Sequence, residues 1–179
     1  MLYPSNTQEL LDFGLHAIAM SRFSGCWVGM KVVTDVVEGG GSIRVGLDCP
    51  RIVVPPETTE PAGGFNIRPV DGALPQEDRL YNHKLQAAVD YARANGLNEV
   101  TLDPVQARVG IVAAGKAWQD VRQALMLLGL TDGRLEEIGI RLLKVGMTWP
   151  LDPAIVKRFA RGLTTLVVVE EKRPLLEDQ

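Results

Sequence analysis

The second half of the chain repeats one pattern that restricts its fold: short, continuous apolar runs separated by helical segments. The apolar runs are residues 109–114, 138–143 and 163–170, and the intervening residues 116–128 and 152–160 are predicted to be helices. Continuous apolar runs, rather than alternating ones, are typical of strands that are buried on both faces. Parallel strands need right-handed crossover connections, which the helices supply. The sequence therefore predicts an α/β fold in which helices cover both faces of a parallel sheet.

Two further elements are predicted near the start of the chain. Ser5 or Asn6 can cap a helix, and Gln8 or Glu9 follows at the spacing of a capping box. A β-branched run at residues 28–37 then predicts a strand.

A stretch rich in glycine and proline, residues 39–75, follows these elements. It has little helical periodicity, and only residues 52–54 would fit a short strand. A long connection of this kind is expected to be ordered by packing on a neighbour. A helix is predicted after this stretch, at residues 76–94. The chain thus divides into a first unit at residues 1–38, a linker, and a second unit at residues 76–179.

The composition is that of a globular protein, with 46% hydrophobic and 23% charged residues. A formal net charge of −3, without a cluster of lysine and arginine, argues against a nucleic-acid partner. No apolar run is long enough to cross a membrane, and no signal peptide follows Met1. The sequence therefore predicts a cytoplasmic protein with neither a nucleic-acid nor a membrane partner.

The residue types that usually carry metal or nucleophilic chemistry are sparse. Cys26 and Cys49 lie in unrelated contexts, and His16 and His83 have no partner at metal-ligand spacing. We expect two reduced cysteines and no metal site. Neither a Gly-x-Ser-x-Gly motif nor a phosphate-binding loop is present. Gly115 lies between a strand and a helix, where a phosphate can meet helix N–H groups, although a single glycine is more typical of a tight turn.

Function in open parallel sheets gathers beyond the carboxyl ends of the strands. The residues expected there are Gly115, Lys144, Trp149, Glu170, Glu171 and Arg173. The charged run after the last strand is either a strand end that meets water or an ion-pair network at a domain or subunit contact, which Lys144 and Trp149 can join. Trp149 is a costly side chain to leave exposed, which favours a contact surface.

Six segments, in order along nearly the whole chain, resemble those of one enzyme family. They are residues 5–9, 21–31, 64–68, 112–116, 144–151 and 169–173. The longest of them reads Ser-Arg-Phe-Ser-Gly-Cys-Trp-Val-Gly-Met-Lys. The ordered set resembles the large subunit of indolepyruvate:ferredoxin oxidoreductases, which belong to the thiamine-diphosphate-dependent 2-oxoacid:ferredoxin oxidoreductases.

The resemblance implies a parent enzyme that oxidatively decarboxylates an aryl 2-oxoacid to an acyl-coenzyme A and reduces ferredoxin. Thiamine diphosphate, Mg²⁺ and [4Fe-4S] clusters would supply the chemistry. Residues 1–38 would be the C-terminal piece of the pyrimidine-binding domain. Residues 76–179 would resemble the transketolase C-terminal domain, a three-layer α/β sandwich with a mainly parallel sheet.

The same resemblance implies an internal fragment that is inactive alone. The acid that activates the cofactor, the diphosphate motif and the cluster-binding cysteines would all lie outside it, so no cofactor is expected in this chain. No catalytic residue is assigned. Ser5, Gln8 and Glu9 match a family motif near the active face and are candidates for that face or for an interface.

The expected partners are the remaining domains of the parent enzyme, with ferredoxin and coenzyme A as partners of the parent. A strand at residues 34–38 without a sheet of its own would leave an open edge, which predicts a homodimer. Two other interpretations stay open. One is a stand-alone, nonenzymatic α/β module that binds a nucleotide or coenzyme A at Gly115. The other is a small complete enzyme with an unrecognised site.

Overall fold

Four strands form the sheet at the centre of the computed structural model, which describes residues 1–47, 49–56 and 60–179. The strands are β1 (Asn98–Leu102), β2 (Val109–Ala114), β3 (Ile140–Val145) and β4 (Thr165–Val169), in the spatial order β1-β3-β2-β4. Strand β2 pairs in parallel with β3 and β4, while β1 runs antiparallel to β3. The predicted α/β class with a mainly parallel sheet is confirmed.

The helices precede, connect and cover these strands. They are α1 (Thr7–Ser24), α2 (Thr34–Val37), α3 (Ala73–Arg79), α4 (Leu85–Ala94), α5 (Gly115–Leu127), α6 (Asp132–Ile138) and α7 (Pro153–Ala160). A five-residue π-helical turn, Leu80–Lys84, joins α3 to α4, so the helix predicted at residues 76–94 is observed with one wide turn inside it. No helix in the described part of the chain is long and apolar enough to span a membrane.

Helices lie on both faces of the sheet and give it three layers. On one face, Trp118 of α5 and Leu135 of α6 pack with Leu142 of β3. On the other face, Phe159 of α7 packs with Leu143, the next residue of the same strand. This alternation follows from the pleat of a strand, which points successive side chains to opposite faces. Helices α1 and α4 form a further cluster beside the sheet.

The first three residues attach the start of the chain to the loop that follows β3. Tyr3 N donates to Gly146 O at 2.8 Å, and Thr148 N donates to Met1 O at 3.0 Å. Leu2 is fully buried and bridges Met147. The first predicted unit therefore packs directly against the second.

The strand predicted at residues 28–37 is wrong. Only Met30 makes an isolated bridge, to Leu2, and residues 34–37 form the short helix α2. β-branched residues favour a strand only where a neighbouring strand is available to pair with them, and none lies beside this run in the described structure. The open edge that motivated a homodimer is therefore absent, and the homodimer itself stays a prediction.

The glycine- and proline-rich connection is held in place by Arg79, which is buried. Its guanidinium donates to Ala62 O at 3.2 Å and to Gly64 O at 2.7 Å, and it forms an ion pair with Asp71. Residues 52–54 form no strand, although Val53 exchanges backbone hydrogen bonds with the side chain of Asn95. The helical segment that follows in the chain therefore holds this connection at Val53 and at residues 62–71. The ordering of the whole connection stays a prediction.

Candidate functional site

A polar cluster lies at the carboxyl end of β3, where the fold brings α1 and α5 together. Lys144, the penultimate residue of β3, forms an ion pair with Glu9 in the first turn of α1. Glu9 also accepts hydrogen bonds from the backbone N–H and the hydroxyl of Ser5, both at 2.8 Å. The side-chain amide of Gln119 on α5 reaches the Ser5 hydroxyl at 3.3 Å. We call Ser5, Glu9, Gln119 and Lys144 the strand-end cluster.

The cap of α1 places Glu9 in this cluster. Asn6 is the N-cap, and its side chain accepts a hydrogen bond from the backbone N–H of Glu9 at 2.9 Å. The Glu9 carboxylate turns back to the backbone N–H of Ser5, which gives the reciprocal pattern of a capping box one residue earlier than its usual position. The same carboxylate therefore caps the helix and binds the lysine.

The electrostatics of the cluster depend on its burial. The side chains of Glu9 and Lys144 are each only 17% exposed. Burial lowers the pKa of the Lys144 ammonium to about 8. The adjoining Glu9 carboxylate acts in the opposite direction, because a nearby negative charge stabilises the charged ammonium. A lysine with such a pKa can exchange a proton near neutral pH, but here it is held by a partner that also fixes α1. The geometry is that of a structural clamp.

A second polar contact lies at the end of β4. The Tyr3 hydroxyl donates to Glu171 Oε2 at 2.7 Å, and Lys31 Nζ lies 3.4 Å from the same oxygen. Burial and the hydrogen bond to Glu171 raise the pKa of Tyr3, and the Tyr3 hydrogen bond lowers the pKa of Glu171. These contacts form a small network between Glu171 and the N-terminal segment, which neither Lys144 nor Trp149 joins within the described residues. An ion-pair network at a domain or subunit contact stays a prediction.

Gly115 begins α5 directly beneath the ring of Tyr3. Its φ angle is +55°, and a Cβ at this position would lie 2.3 Å from a ring carbon of Tyr3. Glycine is therefore required by close packing as well as by its backbone conformation. This accounts for the residue without a bound phosphate.

The remaining candidates lie apart from the strand-end cluster. Gln8 hydrogen bonds to the backbone of Arg44, and Glu170 accepts a 2.8 Å hydrogen bond from Leu176 N in the C-terminal turn. Arg173 is exposed, and within the described residues its side chain makes no hydrogen bond or ion pair. Trp149 is 44% exposed at the rim of a groove.

That groove was not predicted from the sequence. It has a volume of about 680 Å³ and lies between the end of α1, the π-helical turn, and the loops at residues 26–28 and 147–150. Its walls are mainly apolar. Trp27 and Trp149 had been noted separately, Trp27 within a family segment and Trp149 as a contact residue, but no local pattern relates them. We call this cavity the aromatic groove.

The fold and the strand-end cluster define an α/β domain with a mixed, mainly parallel sheet. Residues 99–179 match the family described as the indolepyruvate oxidoreductase domain. The chain is 30% identical, over 99% of its length, to indolepyruvate oxidoreductase subunit IorA of Methanothermobacter thermautotrophicus. It is 34% identical, over its whole length, to the same subunit of Thermococcus kodakarensis.

The chain spans about 27% of the length of each of these relatives. A 2-oxoglutarate:ferredoxin oxidoreductase from Magnetococcus marinus is a solved structure with a weaker likeness, at 14% identity and a TM-score of 0.42, covering 83% of this chain and 24% of that one. The resemblance seen in the sequence is confirmed: residues 99–179 match the indolepyruvate oxidoreductase domain family, and the whole chain is similar to one part of the IorA subunit.

Proposed function

We propose that this chain is a structural and assembly part of an indolepyruvate oxidoreductase, and that it performs no chemistry alone. The observation that carries the proposal is the strand-end cluster. Each of its charged groups binds another member of the cluster, so that residues 5–9 are fixed on the sheet. A segment that matches a family motif near the active face is thereby held in position for the rest of the enzyme.

The parent reaction within this proposal is the oxidative decarboxylation of indolepyruvate, or a related aryl 2-oxoacid, to an acyl-coenzyme A with reduction of ferredoxin. Thiamine diphosphate would stabilise the carbanion in that reaction. The residues of this chain do not fit a [4Fe-4S] cluster, which takes four thiolates, because the chain has two cysteines. Nor do the described residues include a group of three or more His, Cys, Asp or Glu placed to hold a metal ion. Other parts of the enzyme would hold Mg²⁺ and the clusters.

The proposed partners are therefore the remaining domains of the parent enzyme, with ferredoxin and coenzyme A acting on the assembled protein. A homodimer and a cytoplasmic location belong to the same proposal. The stand-alone module that binds a nucleotide or coenzyme A at Gly115 has less support, since the ring of Tyr3 packs against that residue.

Two measurements test the proposal. By titration calorimetry with Mg²⁺ present, the chain is expected to bind neither thiamine diphosphate nor coenzyme A. In the full-length enzyme, Lys144→Met is expected to lower the rates of ferredoxin reduction with indolepyruvate and with phenylpyruvate by the same factor, because a clamp does not select the substrate. Tight binding of coenzyme A by the chain would favour the module instead, and tight binding of thiamine diphosphate would overturn the account of a cofactor-free fragment.

A further inference from the structure

Strand β4 forms an open edge of the sheet. It pairs with β2 on one side, and within the described residues no strand pairs with it on the other. Its sequence, Thr-Leu-Val-Val-Val, contains neither a charged residue nor a proline or glycine. Leu166 and Val167 are 46% and 40% exposed although both are apolar. An edge strand of this kind presents unpaired N–H and C=O groups to any strand that can pair with it.

The opposite edge of the same sheet has protection that β4 lacks. Strand β1 carries the charged residue Glu99, and its pairing with β3 shifts register between Val100 and Leu102. Charged side chains and irregular register are means by which proteins prevent unwanted strand pairing. The difference between the two edges favours an edge at β4 that is covered when the protein assembles.

The backbone groups of Leu166 and Val168 face away from β2. Thr165 N donates to Arg108 O at 3.1 Å, so the backbone of Thr165 faces the chain that enters β2. Along a strand, the side to which the backbone groups point alternates from one residue to the next. The outer edge of β4 therefore offers the N–H and C=O groups of its second and fourth residues to a neighbouring strand.

The side chains of β4 alternate between the two faces of the sheet. Val168 packs on the face that α7 covers, and Val169 packs on the face that α5 and α6 cover. Leu166 therefore lies on the same face as Val168, and Val167 lies on the same face as Val169. Because an apolar side chain is exposed on each face, a strand that pairs with this edge must bring apolar side chains to both faces.

We propose that this edge binds a second copy of the chain, with the two β4 strands antiparallel and related by a twofold axis at Val167. In that register, Leu166 of each copy exchanges backbone hydrogen bonds with Val168 of the other, and the two Val167 side chains face each other. No like charges oppose each other within β4, since all five of its residues are uncharged. Each copy also brings apolar side chains to both faces. The inference rests on the proposed function for the homodimer and adds the surface through which it forms.

The test is sedimentation equilibrium of the chain at pH 7, which should give about twice the monomer mass of 19.5 kDa at high concentration. Val167→Lys should weaken the dimer by more than about tenfold, because two lysines would face each other at the twofold axis. Val167→Glu should weaken it for the same reason. An equimolar mixture of the two variants should restore the dimer, since lysine then faces glutamate. This recovery separates pairing at position 167 from damage to the fold.

A control and a second measurement complete the test. Val105→Lys introduces the same charge at a valine that is 99% exposed outside the sheet, and it should leave the mass of the dimer unchanged. In amide hydrogen exchange, the N–H groups of Leu166 and Val168 should exchange more slowly as the protein concentration rises. The N–H of Thr165, which bonds within the chain, should not respond.

The outcomes that contradict the inference differ from those that contradict the proposed function. A dimer that persists in both Val167 variants would overturn this surface and leave the homodimer standing. A monomer at every concentration would overturn both, and the edge would then be left to a strand from elsewhere in the parent enzyme. Neither result depends on the binding of thiamine diphosphate or coenzyme A, which tests the cofactor-free fragment separately.

Discussion

The ion pair between Glu9 and Lys144 joins positions 135 residues apart. Removing the charge of Glu9 is expected to destabilise the fold more than removing the charge of Lys144. Glu9→Gln leaves a largely buried ammonium beside a neutral amide. Lys144→Met leaves a carboxylate that still accepts two hydrogen bonds from Ser5. Both variants remove one charge and keep the length of the side chain, so the difference between them reports the unpaired charge.

The magnitude follows from the burial of the pair. Breaking a fully buried pair from one side costs about 3–5 kcal/mol. Both side chains are 17% exposed, so we expect about 2–3 kcal/mol for Glu9→Gln. Lys144→Met should cost about 1–2 kcal/mol, as its carboxylate partner retains donors. In the double variant, the coupling between the two changes should be about 1–2 kcal/mol, within the range for residues in direct contact.

The assay is urea unfolding of the wild type, the two single variants and the double variant, followed by circular dichroism at pH 7. The control cycle uses Arg134→Met and Glu137→Gln, an i,i+3 pair whose side chains are 58% and 66% exposed. Its coupling should be below about 0.5 kcal/mol, as for other surface pairs. A Glu9–Lys144 coupling no larger than that of the control, or a larger cost for Lys144→Met, would refute the argument that burial makes this pair a clamp.

Two further variants test the burial of a histidine and the anchoring of the connection. His16 is buried, its ring Nδ1 lies 3.0 Å from the Tyr91 hydroxyl, and burial lowers its pKa, so the unfolded chain takes up a proton near pH 6.5 before the folded chain does. The free energy of unfolding should therefore fall as the pH drops below about 6.5, by up to about 1.4 kcal/mol per pH unit. His16→Gln should flatten this part of the pH profile of urea unfolding. An unchanged slope would show that His16 is not the group responsible. Arg79→Met should speed chymotryptic cleavage after Phe65, which is buried in the connection, by about tenfold or more, through loss of charge-assisted hydrogen bonds to Ala62 and Gly64. Equal cleavage rates would show that other contacts hold the connection.

The repeating strands and helices could be predicted because each of them has a signal of its own. Strand β2 was predicted at the residues where it is observed, and β4 within a few residues. Strand β1 was missed. Three of the five residues in its sequence, Asn-Glu-Val-Thr-Leu, are polar, in keeping with its place at the edge of the sheet, where its first four residues are partly or fully exposed. Such a strand is specified by its antiparallel neighbour β3 more than by its own composition.

The candidate site, like the fold, could be predicted from the sequence only in part. Lys144 was predicted from its position at a strand end, and Ser5 and Glu9 from their match to a family motif, but nothing in the sequence indicates that the three residues meet. Gln119, on α5, completes the cluster and was missed, since one polar residue on a helix gives no distinguishing signal. Lys84, which lines the aromatic groove, was missed although it lies four residues after Leu80 and four before Ala88, on the apolar face of the predicted helix. A lysine is usually exposed, so its type gives no signal of burial.

The division of the chain by composition also differs from the way in which the chain packs. The glycine- and proline-rich stretch marks a change in local structure, yet the residues before it share a core cluster with those after it. Leu2 and Met20 pack with Tyr91 and Met147 in that cluster, and all four are at most 1% exposed. Residues 76–179 without the N-terminal segment would expose part of this apolar surface, at a cost of about 25 cal/mol per Å². The N-terminal segment therefore contributes to the stability of the second unit, and the clamp between Glu9 and Lys144 lies where the two meet.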